Sequence, residues 1–506
     1  MHNYEHCLLS DKLIQVRKTD GNEHELTLPE VLACLTRNEI EAFITLQKHQ
    51  QHSWHAFLVQ LAAMTLHKHQ LAYCDSVEKW KEMLLTMTNG EYEAWSLIVP
   101  NLAKPAFMQS PVPEGNLTSF KTDNGDSPDL IDLLNTAKNH DVKMKRIINP
   151  RYSHWLYALI SLQTMQGVMG RGNYGIARMN GGFGSRPCAT FRSSHLPGKV
   201  FIDDIEKCLN GRNKILEAYE HYKSEDGICL LWLKAWNGKT QIELSELNPF
   251  FIEICRRIRL VKQANRIIAS LQNSKSARIL AKDLNGRTGD PWTPVNKEEQ
   301  KALSVSSKGF DYQLTQEIIF GNVYKAGVTQ EIKQDAKQAF FWGSVLVRGK
   351  GETEGYHERS VKIPAKARKM LATVSGKDKV GEQSKKWVNI ASVIEKNVLL
   401  PALKKLLNDD LRKAMPWLAR FTTKVDQKFF PKLWSGIELQ DEEANRLWEI
   451  ELLNTAHEIL QTAIKRLPTA SVSFYRISCE AEGMFIGCKR KRFQHLFVKE
   501  KTDGSA

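Results

Sequence analysis

The stretch Gly170–Arg186, GRGNYGIARMNGGFGSR, decides how this 506-residue chain is read. Its first six residues fit G-x-G-x-x-G, the pattern of a dinucleotide cradle. Such a cradle needs a strand before it and a helix opening at its end, because the helix N-terminus holds the pyrophosphate. Here the preceding HWLYALISLQTMQG has helical spacing, and the following IARMNGGFGSR carries three more glycines that oppose a helix. No acid stands about 20 residues on to bind a ribose; the first one after the stretch is Asp203. No G-K-[ST] closes the segment, so a P-loop fails too.

The charge around the stretch points to a nucleic acid. From Val142 to Ile202 there is no Asp or Glu, whereas about seven are expected at the chain-wide frequency. The same window holds Lys143, Lys145, Arg146, Arg151, Arg171, Arg178, Arg186, Arg192 and Lys199. Phosphate contacts dominate nucleic-acid affinity, and nearby carboxylates would repel the backbone. Glycines let main-chain N–H groups come close to phosphates or base edges. Tyr174 and Phe183 add rings able to stack or wedge against bases. The segment is therefore expected to lay its arginines along a polyanion, in keeping with a formal net charge of +14.

The remaining composition sets broad limits. The chain is long enough for two to four domains, and its 42% apolar and 25% charged residues are those of a soluble globular protein. No apolar run reaches the ~18 residues of a membrane span. The opening MHNYEHCLLSDKLIQV lacks a basic n-region followed by an apolar h-region, so export is not expected. Nine cysteines, none in a C-x-x-C pair, argue against a zinc ribbon or a disulfide framework and suit a reducing cytoplasm.

Along the chain, LIQV and HELTL flank a turn at Asp20–Gly21 and lead into a helix after Leu28–Pro29. Residues 40–100 are mostly helical by pattern, SFKTDNGDSPD is a loop, and helix resumes over Tyr152–Met165. ICLLWL reads as strand, FIEICRRIRLVKQANRII as helix, and SARILAKDLNGRTGDPWTPV as short strands and turns. From Val361 to Ile390 eight basic residues face two acids, which reads as a basic linker. Four long amphipathic stretches follow, with short connections that suggest an antiparallel helix bundle. The expected fold is α+β: a large mixed N-terminal domain over residues 1–375, then a C-terminal four-helix bundle over 376–506.

Several linked motifs resemble one family. LQTMQGVMGRGNYGIARMNGGFGSRP, the upstream KPAFMQSPVP, GDPWTPV at Gly289–Val295 and VRGKGETEGYHERSV at Val347–Val361 are similar in order and spacing to CasA, the large subunit of the type I-E CRISPR complex Cascade. The resemblance spans the whole chain and implies a binding role without catalysis or cofactor. Such a subunit recognises the PAM in double-stranded target DNA, helps open the duplex into an R-loop, and recruits a separate helicase–nuclease in antiviral defence. Its other implied partners are crRNA and the backbone, small and crRNA-handle-binding subunits of the complex. The division of labour is physical: protein reads a short duplex motif, and guide pairing reads the sequence.

The family's PAM glycine loop matches Gly170, Arg171, Gly172, Asn173, Tyr174 and Gly175. Its basic finger falls just before GDPWTPV, leaving Lys275, Arg278 and Lys282 as candidates. Its wedge matches Gly349, Lys350 and Gly351. The family often has glutamine at the middle position, and a lysine is better suited to gripping a phosphate than to inserting. A loop over roughly Lys138–Arg151 corresponds to one that reaches crRNA and neighbouring subunits, with Lys143, Lys145, Arg146 and Arg151 suited to RNA phosphate.

Other chemistry is weaker. His52, His55, His67 and His69 lack an H-E-x-x-H pattern or a partnered acid, and read as solvated or capping residues rather than metal ligands. Asp203, Asp204 and Glu206 offer the alternative of a metal-dependent nuclease, although acids at a helix start are usually dipole partners. Trp54, Trp80, Trp95, Trp342 and Trp417 read as core residues.

Overall fold

In the computed structural model, the described residues are 4–122, 126–134, 146–219, 221–264, 266–333, 336–349, 352–466 and 472–497. The chain divides into a unit of Met1–Phe310 with Val323–Lys362, and a second of Asp311–Asn322 with Ile363–Ala506.

The first unit begins with the expected hairpin, Ile14–Lys18 and Glu23–Leu26, extended by Ile40–Phe43 into a three-stranded antiparallel sheet. Thr27 and Glu30 close a reciprocal capping box on the helix Leu28–Thr36, satisfying two N-terminal amides. Helix Gln51–Lys68 is buried over almost its whole circumference, as a central core helix must be, and the helices Tyr152–Met165 and Pro197–Ala218 pack against it. Trp54, Trp80 and Trp95 lie in this core. A second three-stranded sheet sets Ala339–Gly349 between Cys188–Arg192 and Glu352–Ile363. Its first strand leaves the glycine-rich stretch directly.

Two sequence expectations are corrected here. FIEICRRIRLVKQANRII is not helical: it supplies the end of strand Leu247–Ile252 and the hairpin strands Arg257–Gln263 and Arg266–Gln272. Ile258 and Leu260 alternate with arginines, a period of two that the apolar spacing of three and four obscured. Arg259 is fully buried, donating to the carbonyls of Val99 at 2.7 Å and Lys104 at 3.0 Å. Nor is Val361–Ile390 a linker. It contains the helix Ala365–Leu371 and most of Val374–Ile394, because Val380, Trp387, Ala391 and Ile394 form a buried stripe.

The second unit is the expected helical bundle. Val374–Ile394 continues through a π-turn, Glu395–Leu399, into Leu400–Leu406; Leu411–Gly436, Asp441–Lys465 and Val472–Arg492 follow. Trp387 and Trp448 stack at 4.7 Å in its core, and the helix Tyr312–Phe320 joins them through Tyr312 against Phe429. Trp417 is half-buried rather than core, with the guanidinium of Arg420 over its ring at 4.5 Å. No helix among the described residues is long and apolar enough to cross a membrane.

Candidate nucleic-acid interface

Helix Tyr152–Met165 feeds the glycine-rich stretch, whose two ends are tied together. The Arg186 amide donates to the Met165 carbonyl at 2.9 Å, and the Gly167 amide to the Gly184 carbonyl at 2.8 Å. Between them the Ile176 amide donates to the Gln166 carbonyl at 3.0 Å, which divides the stretch into two lobes, 168–175 and 177–184. Gly175 approaches Gly167 so closely that an added Cβ would lie 2.8 Å from its carbonyl carbon. Gly172, at φ +83°, would place a Cβ 2.8 Å from that of Asn273. These two glycines are required by the protein itself. The tip at Gly170 and Arg171 faces outward, with nothing within 4 Å of an added Cβ at Gly170.

The first lobe is held by hydrogen bonds from three other segments of the chain. Buried Arg256 donates to the carbonyls of Tyr174 and, at 3.2 Å, Gly167, so one guanidinium clamps both ends of the lobe. The Ser274 amide donates to the Gly172 carbonyl at 2.9 Å, and the Tyr174 hydroxyl to the Lys275 carbonyl at 3.1 Å. Arg348 donates to the Met169 sulfur at 2.9 Å, and the Ser185 amide to the Leu346 carbonyl at 2.8 Å. The glycine loop, the exposed Lys275 and the end of the strand Ala339–Gly349 thus form one locality.

The expectation that the arginines of the stretch all face a polyanion is overturned. Arg178 and Arg186 are each 1% exposed. Arg186 pairs with Asp290 at 2.6 Å, while Arg178 lies 3.6 Å from Glu253 and 3.7 Å from Asp290. Arg178 also covers the Phe251 ring, and Arg186 the Trp292 ring. Burial opposes the Arg186 charge, yet Asp290 helps hold its pKa above the ordinary guanidinium value. Burial pushes the Glu253 carboxyl up to about 7 against the pull of Arg178. The window lacks acids in sequence, but carboxylates from elsewhere meet it in space. GDPWTPV is the buttress: Asp290 also accepts the amides of Trp292 at 2.8 Å and Thr293 at 3.1 Å. Arg192 is likewise used internally, 3.6 Å above the Trp342 ring.

The remaining candidates separate by exposure. Arg278 is buried over Trp236, donating to the carbonyls of Lys234 and Ala235, and burial lowers its pKa to about 10. A guanidinium so enclosed is not a finger. Lys275 and Lys282 are exposed, and Lys275 adjoins the glycine loop. Gly349 ends its strand; Lys350 and Gly351 lie outside the described residues, as do Lys143 and Lys145. Arg146 and Arg151 are exposed, Arg151 directly before helix Tyr152–Met165.

The other chemistry finds internal partners. Asp203 and Glu206 pair with Lys333 at 2.9 and 2.6 Å, and buried Asp204 with His55 at 2.9 Å. Asp203 and Asp204 are not at a helix start, since their helix begins at Pro197. His52 and His55 are not solvated: burial lowers the pKa of both, His52 to about 3. His69 caps its helix. Among the described residues no three His, Cys, Asp or Glu converge to hold a metal. Sequence reasoning missed Glu253 and Arg256, which sit in the stretch misread as helix; alternation around Ile258 and Leu260 was the available signal.

Comparison with solved structures adds the fold's relatives. Thermus thermophilus CasA (Cse1) superposes with a TM-score of 0.61 at 12% identity, covering 96% of this chain and 99% of that one. The chain has the CasA fold. A CRISPR-associated Cse1 protein from Acidimicrobium ferrooxidans matches with a TM-score of 0.61 at 12% identity over 96% of this chain and 97% of that one. A chain of a CRISPR RNA-guided surveillance complex matches with 0.57 at 11% identity, covering 95% and 99%. No protein-family model and no curated protein matches the sequence. The fold is thus shared at 11–12% identity.

Proposed function

We propose that this chain is the large subunit of a crRNA-guided CRISPR surveillance complex of the Cascade kind. It reads the PAM with the outer face of the first lobe, Gly170, Arg171 and Asn173, and with Lys275 as the basic finger. It promotes R-loop formation in the locality where the strand Ala339–Gly349 ends. Arg146 and Arg151, with Lys143 and Lys145, contact crRNA or adjoining subunits. The bundle contacts neighbouring subunits and the displaced strand, and the assembled particle recruits a helicase–nuclease. The chain itself binds without catalysis.

One observation carries this reading. Gly172 meets Ser274, 102 residues away, and Met169 meets Arg348, 179 residues away, so the three segments matched to DNA contacts are neighbours in space. The lobe presents main-chain groups and one arginine, which suits minor-groove edges; that groove's degenerate pattern implies tolerance of several PAMs.

The test is a binding selection with the assembled complex over duplexes whose target-flanking bases are randomised. A small set of flanks should be enriched, and Arg171→Ala with Lys275→Ala should erase the enrichment while assembly survives. Equal binding to all flanks would overturn the reading. Metal-dependent cutting of duplex DNA by the lone chain in Mg²⁺ would favour a nuclease instead.

A further inference from the structure

Phe183 differs from the other ring of the glycine-rich stretch. Tyr174 is half-buried and its hydroxyl is committed to the Lys275 carbonyl. Phe183 is 49% exposed and has no ring or cation partner among the described residues. Its backbone, by contrast, is fixed on both sides. The Val168 amide donates to the Gly182 carbonyl at 3.1 Å, and the Gly167 amide to the Gly184 carbonyl at 2.8 Å. Asn180 braces the same lobe, accepting the Gly182 amide at 3.2 Å and donating to the Ala302 carbonyl at 2.8 Å.

The site of this spur matters. A Cβ on Gly184 would stand 2.6 Å from the Leu346 carbonyl oxygen and 3.2 Å from the Arg348 amide nitrogen. The backbone at Phe183 therefore runs beside the last residues of the strand Ala339–Gly349, at the locality that also holds the glycine loop, and its ring is exposed there. The carboxylates facing the stretch, Glu253 and Asp290, are buried, so no exposed acid of that pair repels a phosphate there. A rigidly held aromatic loses little freedom on binding, and every base offers a face to stack on. Apolar side chains are also the groups that insert between base steps, whereas a lysine ammonium is a strongly hydrated point charge.

We infer that Phe183, rather than Lys350, is the wedge of this protein: its ring stacks on the first base pair beside the PAM and holds it open. The inference rests on the PAM-reading function proposed above and adds the residue and the class of contact, aromatic stacking on a nucleobase.

The experiment uses the assembled complex and a duplex with 2-aminopurine at the first target position, reporting docking by anisotropy and opening by fluorescence. Phe183→Ala should dock on the enriched flank like the wild type but open the duplex about tenfold or more slowly. Phe183→Trp should restore most of the rate, and Lys350→Ala should change it less than Phe183→Ala. A thermal melt of each variant verifies that the fold is unchanged. Wild-type opening by Phe183→Ala, equal losses of docking and opening, or no rescue by tryptophan would each overturn the wedge and leave PAM reading standing. Flank-independent docking by the wild type would overturn both.

Discussion

Arg171 and Arg186 belong to one stretch of 17 residues and have opposite fates. Arg171 stands exposed at the tip of the first lobe, whereas Arg186 is sealed against Asp290 and Trp292. Arg178 shares the second fate, between Glu253 and Phe251. A basic, acid-free sequence is thus two things: an outer edge available to phosphate, and an inner ion-paired keystone that holds the edge in shape. Net charge cannot distinguish them, because a buried arginine and a solvated one count alike.

The largest effect should come from breaking the keystone. Asp290→Asn leaves Arg186 without its closest counter-charge, and losing one partner of a buried pair costs about 3–5 kcal/mol. Urea unfolding of the first unit should register that loss; an unchanged midpoint would mean the inner arginines are not held as described.

Glu253 comes next and carries a pH signature. Its folded pKa of about 7 lies above the ordinary carboxyl value of 4.5, so the native state holds a proton that the unfolded state releases. This contribution is complete below about pH 4.5 and disappears as pH rises through about 7. Glu253→Gln keeps an acceptor for the Ala177 amide and should flatten that slope, which is on the order of 1–3 kcal/mol in the wild type. Parallel pH–stability curves for the two proteins would refute the assignment.

A smaller effect is expected at Gly172, where alanine must take a left-handed backbone conformation against Asn273. The cost is about 1–2 kcal/mol, read as a lowered melting temperature in the free protein. Bulky replacements at Gly172 or Gly175 would therefore deform the lobe itself, so any loss of binding they caused would not assign contacts to these two residues.

The outer edge should be nearly silent in stability. Arg171→Ala with Lys275→Ala should shift unfolding by less than about 0.5 kcal/mol. In the assembled complex the same pair should lower the slope of log K against log salt by about 2, as expected for two lost phosphate contacts. An unaltered salt slope would remove both residues from the interface.

Much of the architecture was legible in local pattern. The hairpin at Asp20–Gly21, the helix Tyr152–Met165 and the bundle helices follow turn chemistry and apolar spacing that need no tertiary information. Legibility failed where arginines are buried. Arg257 and Arg259 in a strand look like the polar face of a helix until Gln272 and the carbonyls of Val99 and Lys104 are seen to receive them. Lysines along Val374–Ile394 mimic a solvated linker because the buried stripe beneath them is narrow.

The sequence by itself determined the first hairpin, the helix Tyr152–Met165 and the bundle helices, the exclusion of a dinucleotide cradle, and the set of linked motifs resembling CasA. Hydrogen-bonded periodicity and glycine placement are local properties, so one chain suffices to read them. Only the tertiary structure decided which cations face solvent, that Asp290 and Glu253 lie against two of the others, and that Gly172, Lys275 and Gly349 lie in one locality. Burial and charge pairing depend on residues distant along the chain, and no local pattern encodes which of those will meet.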